Sequence, residues 1–327
     1  MSTASVATVN PRALGSRLVS APWSMAAGVS LLLLAILAVV SGQNPLLILG
    51  SNAQTASFVV LVALAQMVVV TAGEGAIDLS IPNTISISVY VTTILQQGDS
   101  ARLPIAIAAA LVVGLAVGAV NGAFVTLLRV PAIVATLAVG FVVNSLVNVL
   151  SNVPGRGQAS PALQAFARGD LFGVSYLVLF ALAALIVMGF YILRTTPGLR
   201  LVATGQSFAA AEVGGLKPRR SRMSSFVISG LIAAIVGVLL CGYSNGAFLG
   251  IGDPYQIASI AAVVLGGTLM SGGRPSVVGC LFGALFLAFV TTLTNVLAVP
   301  AGVRWLIQGL IIIGALALPR FGRSSTS

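Results

Sequence analysis

Two carboxylates in a glycine-rich break between apolar runs are the side chains of this sequence most able to do chemistry. Glu74 and Asp78 lie in the stretch TAGEGAIDLSIPNT, while the four other acids fall in predicted loops. Ionisable groups at membrane depth are costly to bury and therefore point to function. Because glycines flank the glutamate and a proline follows the aspartate, we expect residues 72–82 to form a broken or re-entrant segment.

Polar side chains continue into the predicted helix that follows this break. Its hydroxyls make it the most polar helix of the chain: Ser80, Thr84, Ser86, Ser88, Thr92 and Thr93. A hydroxyl-lined helix beside two carboxylates fits a passage for a polar solute, and the candidate pathway residues are Glu74, Asp78, Ser80, Asn83 and Ser86. Asp78 could instead cap a helix N-terminus, where a carboxylate favours the free amide groups. Both interpretations stay open at this point.

The side chains that enzymes use are missing from the sequence. There is no histidine, which excludes histidine-based nucleophilic catalysis and the usual metal sites. A phosphate-binding loop needs a Gly-Lys-Ser/Thr step, but the only lysine, Lys217, lies between a leucine and a proline. Cys241 and Cys280 lie in apolar segments and are interpreted as buried hydrophobes. We therefore predict no catalytic residue, no metal and no bound cofactor; any nucleotide-driven step needs another polypeptide.

Composition places the chain in a membrane. Of its 327 residues 58% are hydrophobic and 7% are charged, and the mean hydropathy is +1.09. A soluble domain has about a quarter of its residues charged, so a soluble core is excluded. The formal net charge of +10 is scattered between apolar runs and forms no patch, so we expect no nucleic-acid partner. The predicted fold class is all-α, with several helices crossing a lipid bilayer.

Ten apolar segments are long enough to be candidate spans, since a bilayer core needs about 20 residues per helix. The predicted spans are 23–42, 55–72, 79–96, 103–128, 131–151, 172–194, 223–243, 255–270, 275–297 and 302–319. The apolar segment 45–50 is too short to span and is placed at the outer interface. These spans give one transmembrane domain, 23–319, between an N-terminal tail, 1–22, and a C-terminal tail, 320–327.

The basic residues predict the orientation. An even number of spans puts both termini on one side, and loops rich in Lys and Arg are retained in the cytoplasm. With cytoplasmic termini, twelve basic residues lie inside: Arg12, Arg17, Arg129, Arg194, Arg200, Lys217, Arg219, Arg220, Arg222, Arg274, Arg320 and Arg323. Four lie outside: Arg102, Arg156, Arg168 and Arg304. We therefore expect a multi-pass protein of the plasma membrane with both termini in the cytoplasm.

Small residues within the spans predict close helix packing. Gly114 and Gly118 have the small-xxx-small spacing, and so do Gly279 and Gly283. Small residues let helix backbones approach each other where lipid gives no hydrophobic reason to associate. We interpret both pairs as packing sites.

The most basic loop of the chain, 195–222, is predicted to be cytoplasmic and to contain a short helix. The sequence from Gln206 to Val213 is typical of such a helix, because Ser207 can act as its N-cap and Gly214-Gly215 as its stop. A short helix displayed at this face is suited to be held by a soluble partner. The alternative is an ordinary connector between two spans.

Four segments carry a resemblance to a known family. They are GAIDLS at 75–80, NGAFVTLLRVPAIVATL at 121–137, GQSFAAAEVGGL at 205–216 and AAVVLGGTLMSGGRPSVVG at 261–279. In this order they resemble motifs of the membrane permease subunits of bacterial ABC importers of the ribose/xylose/galactose type. The last segment is the most specific of the four, and together they span most of the chain in the family's order.

The resemblance implies a permease dimer, homomeric or heteromeric, docked on two ATPase domains and fed by a periplasmic or lipid-anchored solute-binding protein. It implies alternating access and a cytoplasmic coupling helix. The residues that this helix motif contributes to ATPase coupling are Gly205, Gln206, Ser207, Ala210, Ala211, Glu212 and Gly215. Three residues depart from the family pattern: Glu74 beside the usual glycines, Pro82 at a common glycine and Ser207 at the usual asparagine. The first two lie on the expected solute path and weaken the assignment of any one sugar, whereas the third is a conservative cap exchange. A pentose or hexose is the leading solute class, with polyols, furanose autoinducers and nucleosides as alternatives.

A second class of function remains as an alternative. A proton- or ion-coupled secondary transporter could act without an ATPase, with Glu74 and Asp78 as its relay. The sequence has no other acid at predicted membrane depth. Transport by this chain alone, driven by a proton gradient, would distinguish the two classes.

Overall fold

The computed structural model describes residues 23–153, 157–300, 302–304, 306–307 and 309–310. These residues form a helical bundle. The helices, numbered in chain order, are α1 (Ser24–Ser41), α2 (Pro45–Thr71), α3 (Ile81–Gln96), α4 (Leu103–Thr126), α5 (Ala132–Ser151), α6 (Pro161–Arg168), α7 (Tyr176–Arg194), α8 (Thr196–Gln206), α9 (Phe208–Val213), α10 (Pro218–Ser244), α11 (Pro254–Leu265) and α12 (Val277–Val296). A 3-10 turn, Ser100–Arg102, precedes α4, and a two-stranded antiparallel hairpin, Asp170–Leu171 with Val174–Ser175, precedes α7.

Seven of the helices in the described residues are long and apolar enough to cross a membrane: α1, α2, α4, α5, α7, α10 and α12. The third and eighth predicted spans are present as shorter helices, the 16-residue α3 and the 12-residue α11. The all-α, multi-pass prediction is thus confirmed. The tenth predicted span, 302–319, lies largely outside the described residues, and so do both predicted tails.

The prediction for the segment 45–50 needs correction. It is the start of α2 and not a separate interfacial piece, so the predicted span 55–72 begins ten residues earlier. The Asn44 side chain accepts a hydrogen bond from the backbone N–H of Leu46, and Pro45 occupies the first turn, where its missing N–H costs nothing. No proline interrupts the helix afterwards, and the Asn52 amide donates to the Ile48 carbonyl.

Helices α2 and α10 form the centre of the bundle. Helix α10 packs against α4, α3 and α2, while α2 also contacts α12, α11 and α7. Their side chains are the most completely buried, as for Phe58 and Met67 on α2 and Phe226 on α10. Helices α1, α5 and α7 expose large apolar residues, as lipid-facing helices do: Leu31, Phe141 and Ile186. The polar residues of interest are therefore held between the inner helices.

Both predicted glycine pairs lie at helix crossings, which confirms the packing interpretation. A Cβ atom placed on any of these glycines would overlap a backbone carbonyl oxygen of the facing helix. The overlaps are Gly114 with Gly230, Gly118 with Phe226, Gly279 with Gly266 and Gly283 with Ala262. The first two bring α4 against α10, and the last two bring α11 and its end against α12. Close backbone approach stabilises helix association in a membrane.

Candidate functional site

The predicted break between α2 and α3 is present. Helix α2 ends at Thr71, and Gly73, Glu74 and Gly75 all have positive φ angles, of 89°, 56° and 65°. The two glycines allow the backbone to form this turn, because a residue without Cβ adopts positive φ at little cost. The turn leads the chain back into the bundle, where α3 begins at Ile81.

The Asp78 carboxylate lies buried at the end of this turn and accepts three hydrogen bonds. Its Oδ1 accepts from the Ser80 N–H at 2.9 Å and from the Ser80 hydroxyl at 2.6 Å, and its Oδ2 accepts from the Ser229 hydroxyl at 2.7 Å. The Asn121 amide donates to the Ser80 Oγ at 2.7 Å. The carboxylate therefore connects the start of α3 to α4 and α10.

Two more helices hold the backbone of the same turn. With its amide nitrogen facing the Asp78 carbonyl, Gln66 of α2 pairs with the backbone C=O and N–H of Asp78 at 3.1 and 3.2 Å. On α5, the Thr136 hydroxyl oxygen lies 3.0 Å from the Leu79 backbone nitrogen and 3.2 Å from the Ile77 carbonyl oxygen. Buried polar groups with partners on several helices fix a backbone in one geometry. The bond from the Ser80 N–H to Asp78 is the local turn expected of an aspartate near a helix start.

We expect Ser229→Ala to destabilise the protein by about 1–3 kcal/mol, because it leaves one oxygen of a buried carboxylate without its donor. The thermal unfolding midpoint of the detergent-purified chain measures this effect. Ser145→Ala is the matched control, since the Ser145 hydroxyl is exposed and donates only to the Phe141 carbonyl of its own helix. Equal midpoints for the two variants would contradict a stabilising role for the carboxylate.

The remaining predicted pathway residues lie on α3, which is buried on nearly all sides. Ser86 donates to the Pro82 carbonyl at 3.0 Å and accepts from the Gly252 N–H at 3.2 Å. Asn83 is half-buried against Gly140 of α5. The other hydroxyls of the helix donate to the carbonyl four residues earlier: Thr84, Ser88, Thr92 and Thr93. These hydroxyls are buried between helices of the single chain. Each can lie there because its bond to its own helix satisfies the hydroxyl donor.

Glu74 is separated from the Asp78 network. Its side chain is 62% exposed and its Oε2 lies 2.8 Å from Nη1 of Arg222, whose side chain is only 11% exposed. The Arg222 guanidinium carbon is 5.2 Å from the centre of the Phe208 ring, the first residue of α9. The sequence grouped the two acids by proximity along the chain. Charge complementarity between Glu74 and the arginines at the start of α10 was the available signal for the observed pairing.

Glu74 belongs to an end of the bundle that we call the basic end. Its basic residues lie in or beside the loops and helix ends that meet there: Arg129, Arg194, Arg200, Lys217, Arg219, Arg220, Arg222 and Arg274. Among the described acids of these loops, Glu74 and Glu212 are exposed, whereas Asp78 is buried within the bundle. The arrangement concentrates positive charge at one end of the membrane-crossing helices.

Three backbone segments touch at the basic end in what we call the glycine junction, formed by Gly73, Gly205, Gly272 and Gly273. The Gly273 N–H donates to the carbonyl of Thr71, the last residue of α2, at 3.1 Å. The Gln206 amide reaches the Gly273 carbonyl at 3.5 Å. A Cβ on Gly205 would overlap the Thr71 carbonyl oxygen. The junction joins the end of α2, the end of α8 and the loop before α12, a contact that the sequence motifs did not predict.

The predicted short helix is α9, Phe208–Val213. The Ser207 hydroxyl accepts from the Ala210 N–H at 3.2 Å, which confirms the predicted cap. One boundary needs correction, because Gln206 is the last residue of α8 and not the first of α9. Ser207 has extended backbone angles, φ −161° and ψ 115°, which break the two helices apart. Helix α8 itself was not predicted.

Helix α9 protrudes from the basic end. Ala210, Glu212 and Gly215 are exposed, whereas Ala211 faces the bundle and is 6% exposed. Val213, at the end of the helix, is 91% exposed. A single exposed apolar side chain is common at protein surfaces, so Val213 by itself does not indicate a partner.

These features define the class of protein: a multi-pass helical membrane protein with a buried polar turn and a protruding helix at its basic end. No group of three or more histidine, cysteine or carboxylate side chains that could hold a metal occurs in the described part of the chain.

The chain belongs to the family described as branched-chain amino acid transport system / permease component, whose profile matches residues 48–316. It is 30% identical over 293 residues to the autoinducer 2 import system permease protein LsrC of Enterobacter sp. (strain 638), covering 88% of this chain and 84% of that protein. It is 28% identical over 317 residues to the ribose import permease protein RbsC of Escherichia coli K12, covering 92% and 96%.

The L-arabinose ABC transporter permease protein AraH of Azospirillum brasilense is 29% identical over 269 residues, covering 80% of this chain and 77% of that protein. No solved structure gives a significant match. These comparisons confirm the resemblance that the four sequence segments carried. The protein is an ABC transporter permease of the inner membrane, a transport subunit without its own nucleotide site.

Proposed function

We propose that this chain is the permease subunit of an ATP-driven importer for a small polar solute, with a monosaccharide as the leading class. The observation that carries the proposal is α9, the Ser207-capped helix that protrudes from the basic end. Relatives named as ribose and L-arabinose permeases support a sugar, and a relative named for autoinducer 2 supports a furanose-like solute.

We propose that the basic end faces the cytoplasm and that both termini lie there. The described loops at the basic end carry eight basic residues, whereas the described residues at the opposite end contribute Arg102, Arg168 and Arg304. Lys and Arg are retained on the cytoplasmic side during insertion. The ATPase partner that the family implies would then meet α9 from the cytoplasm, and a solute-binding protein would dock at the opposite end.

The proposed mechanism is alternating access in a dimer of permeases. Closure of the partner ATPases moves α9 and α8, which are joined at Ser207. The glycine junction passes this movement to the end of α2 and to the turn before α3, since Gly205 and Gly273 leave no free space between the segments. The turn is attached to four helices through Asp78 and its neighbours. A shift of the turn therefore moves these helices, which opens the pathway on one side of the membrane and closes it on the other.

The predicted pathway residues divide among three proposed roles. Asp78, Ser80 and Ser86 are buried within the chain and act by holding α3 in place. Asn83 is half-buried and is the candidate for solute contact when α3 moves. Glu74 acts at the basic end through Arg222. Selection of the solute belongs to the binding protein in this proposal, so the permease needs only weak contacts.

Reconstitution tests the proposal against the secondary-transporter alternative. Proteoliposomes hold this chain with its partner ATPase and solute-binding protein, and uptake of radiolabelled ribose and L-arabinose is followed with and without ATP. We expect accumulation only when ATP and the partner ATPase are both present. Accumulation by this chain alone, under a proton gradient, would overturn the proposal and establish the alternative.

Glu74→Gln provides a second distinction between the two classes of transporter. Glutamine cannot carry a proton but can still accept a hydrogen bond from Arg222, so we expect ATP-driven uptake to stay within about threefold of the unsubstituted protein. The cost in stability should be about 1 kcal/mol or less, because the carboxylate is mostly exposed. Glu74→Lys is the control that places a like charge beside Arg222 and lowers the unfolding midpoint. Complete loss of uptake in a stable Glu74→Gln variant would favour the relay.

A further inference from the structure

A cavity of about 490 Å³ opens at the basic end between α4, α5 and the start of α10. Four ionisable residues line it: Glu74, Arg129, Arg219 and Arg222. Apolar residues also line it: Val125, Val130, Pro131, Ala132 and Ile133. The cavity therefore combines cationic and apolar lining.

Arg222 is the deepest of these cationic groups and is incompletely paired. The residue is 9% exposed, and its Nη1 donates to Glu74. Its Nε and Nη2 are buried and have no hydrogen-bond partner among the residues that the structure describes. Leaving a buried donor of a charged group unpaired costs more than about 1–3 kcal/mol. The stacked Phe208 ring offers a π-face but no acceptor atom, so the arginine lacks an anionic partner.

The charges of the described lining residues do not balance. Three guanidinium groups face one carboxylate, which leaves two positive charges uncompensated. Arg129 and Arg219 are both exposed and so remain available to a ligand. A guanidinium binds phosphate through two parallel N–H donors. Glu74 pairs only with Nη1 of Arg222, so the Nε and Nη2 donors remain for a ligand. The cavity accordingly fits an anion with several acceptor oxygens.

The cavity lies beside an apolar surface of the kind that meets a bilayer. Leu127 and Leu128 immediately precede Arg129 and are 71% and 65% exposed, and Val134 on the first turn of α5 is 56% exposed. Exposed leucines next to arginine mark the level where hydrocarbon gives way to headgroups. A ligand with both a phosphate and an apolar body would use both the cationic and the apolar lining of the cavity.

We propose that this cavity binds the phosphate of an anionic phospholipid from the adjoining leaflet. The headgroup phosphate lies among Arg129, Arg219 and Arg222, and the glycerol and first methylenes lie against the apolar lining residues. Basic pockets between transmembrane helices bind lipid headgroups through this combination of charge and hydrocarbon. Because Phe208 of α9 also lines the cavity, an occupied site would stiffen the base of the protruding helix.

Lipid binding to the full chain in detergent tests the inference without any transport measurement, so its failure is separate from failure of the proposed function. Short-chain phosphatidylglycerol, phosphatidylcholine and inorganic phosphate are each added, and retention is measured by native mass spectrometry together with the thermal unfolding midpoint. We expect phosphatidylglycerol alone to be retained and to raise the midpoint. Equal retention of phosphatidylcholine would overturn the proposal. Equal stabilisation by inorganic phosphate would also overturn it, because the site would then bind a free anion and not a lipid.

Arginine variants locate the site. Arg129→Gln and Arg219→Gln should each weaken phosphatidylglycerol binding about fivefold, because one arginine near an anionic headgroup contributes about 1 kcal/mol. Arg220→Gln is the matched control, since Arg220 is an exposed neighbour that lines a different, smaller cavity. Both test residues are exposed, so folding should survive. Unchanged binding in the two variants, or equal loss in the control, would overturn the assignment to this cavity.

Discussion

Replacing Ala210 by arginine should abolish ATP-driven uptake while the chain still folds and inserts. Ala210 is exposed on α9, and its backbone N–H, which arginine retains, makes the cap bond to Ser207. An arginine there carries a bulky unpaired charge into the proposed ATPase contact. Burial of such a charge at the centre of an interface costs at least about 2 kcal/mol, or about 30-fold in affinity. Co-purification of the ATPase with the tagged permease measures this loss.

Ala101→Arg is the control for this experiment. Ala101 is also an exposed alanine beside a capped turn, but it lies in the 3-10 segment Ser100–Arg102 at the opposite end of the bundle. We expect this variant to retain the ATPase at the level of the unsubstituted protein. If the Ala210→Arg variant also retains the ATPase and transports normally, α9 is a plain connector and the proposed coupling role is wrong.

Alanine at two helix glycines should change stability in opposite directions. A Cβ on Gly230 would overlap the Gly114 carbonyl oxygen where α10 crosses α4, so Gly230→Ala forces the two helices apart. Overpacking of this kind costs about 1–3 kcal/mol. A Cβ on Gly28 of α1 would meet nothing within 4 Å. Gly28→Ala should therefore stabilise the protein by up to about 1 kcal/mol, since alanine favours the helix.

The thermal unfolding midpoints of the two purified variants measure the difference. The comparison is internal, because the chemical change and the type of secondary structure are the same at both positions. A Gly230→Ala variant as stable as Gly28→Ala would mean that α4 and α10 do not cross at these glycines. Lower midpoints in both variants would point to a general cost of alanine in these helices and contradict the packing argument.

The two acids that the sequence places four residues apart act in different surroundings. Asp78 is enclosed by hydroxyl and amide donors from several helices, while Glu74 pairs with Arg222 at the basic end. The positive-φ turn at residues 73–75 separates them, because it reverses the chain between the two side chains. This separation weakens the physical case for a proton relay that would use both carboxylates.

Local sequence determined the features that depend on short-range interactions. The membrane class followed from composition, the break at 72–82 from glycines and a proline, the start of α9 from the Ser207 cap, and the close crossings from small residues at fixed spacing. The missing lysine and histidine motifs excluded enzyme chemistry in the same way. The break, the cap and the crossings each depend on a residue and its neighbours within one or two helical turns, whereas the membrane class and the missing motifs depend on composition.

Only the tertiary structure decided which distant segments meet. It paired Glu74 with Arg222, brought Gly73, Gly205 and Gly273 into one junction, and turned the hydroxyls of α3 toward neighbouring helices. The physical reason is that a helix in lipid is apolar on every side. Its composition then does not show which face packs against protein and which faces hydrocarbon, and that choice fixes all long-range contacts.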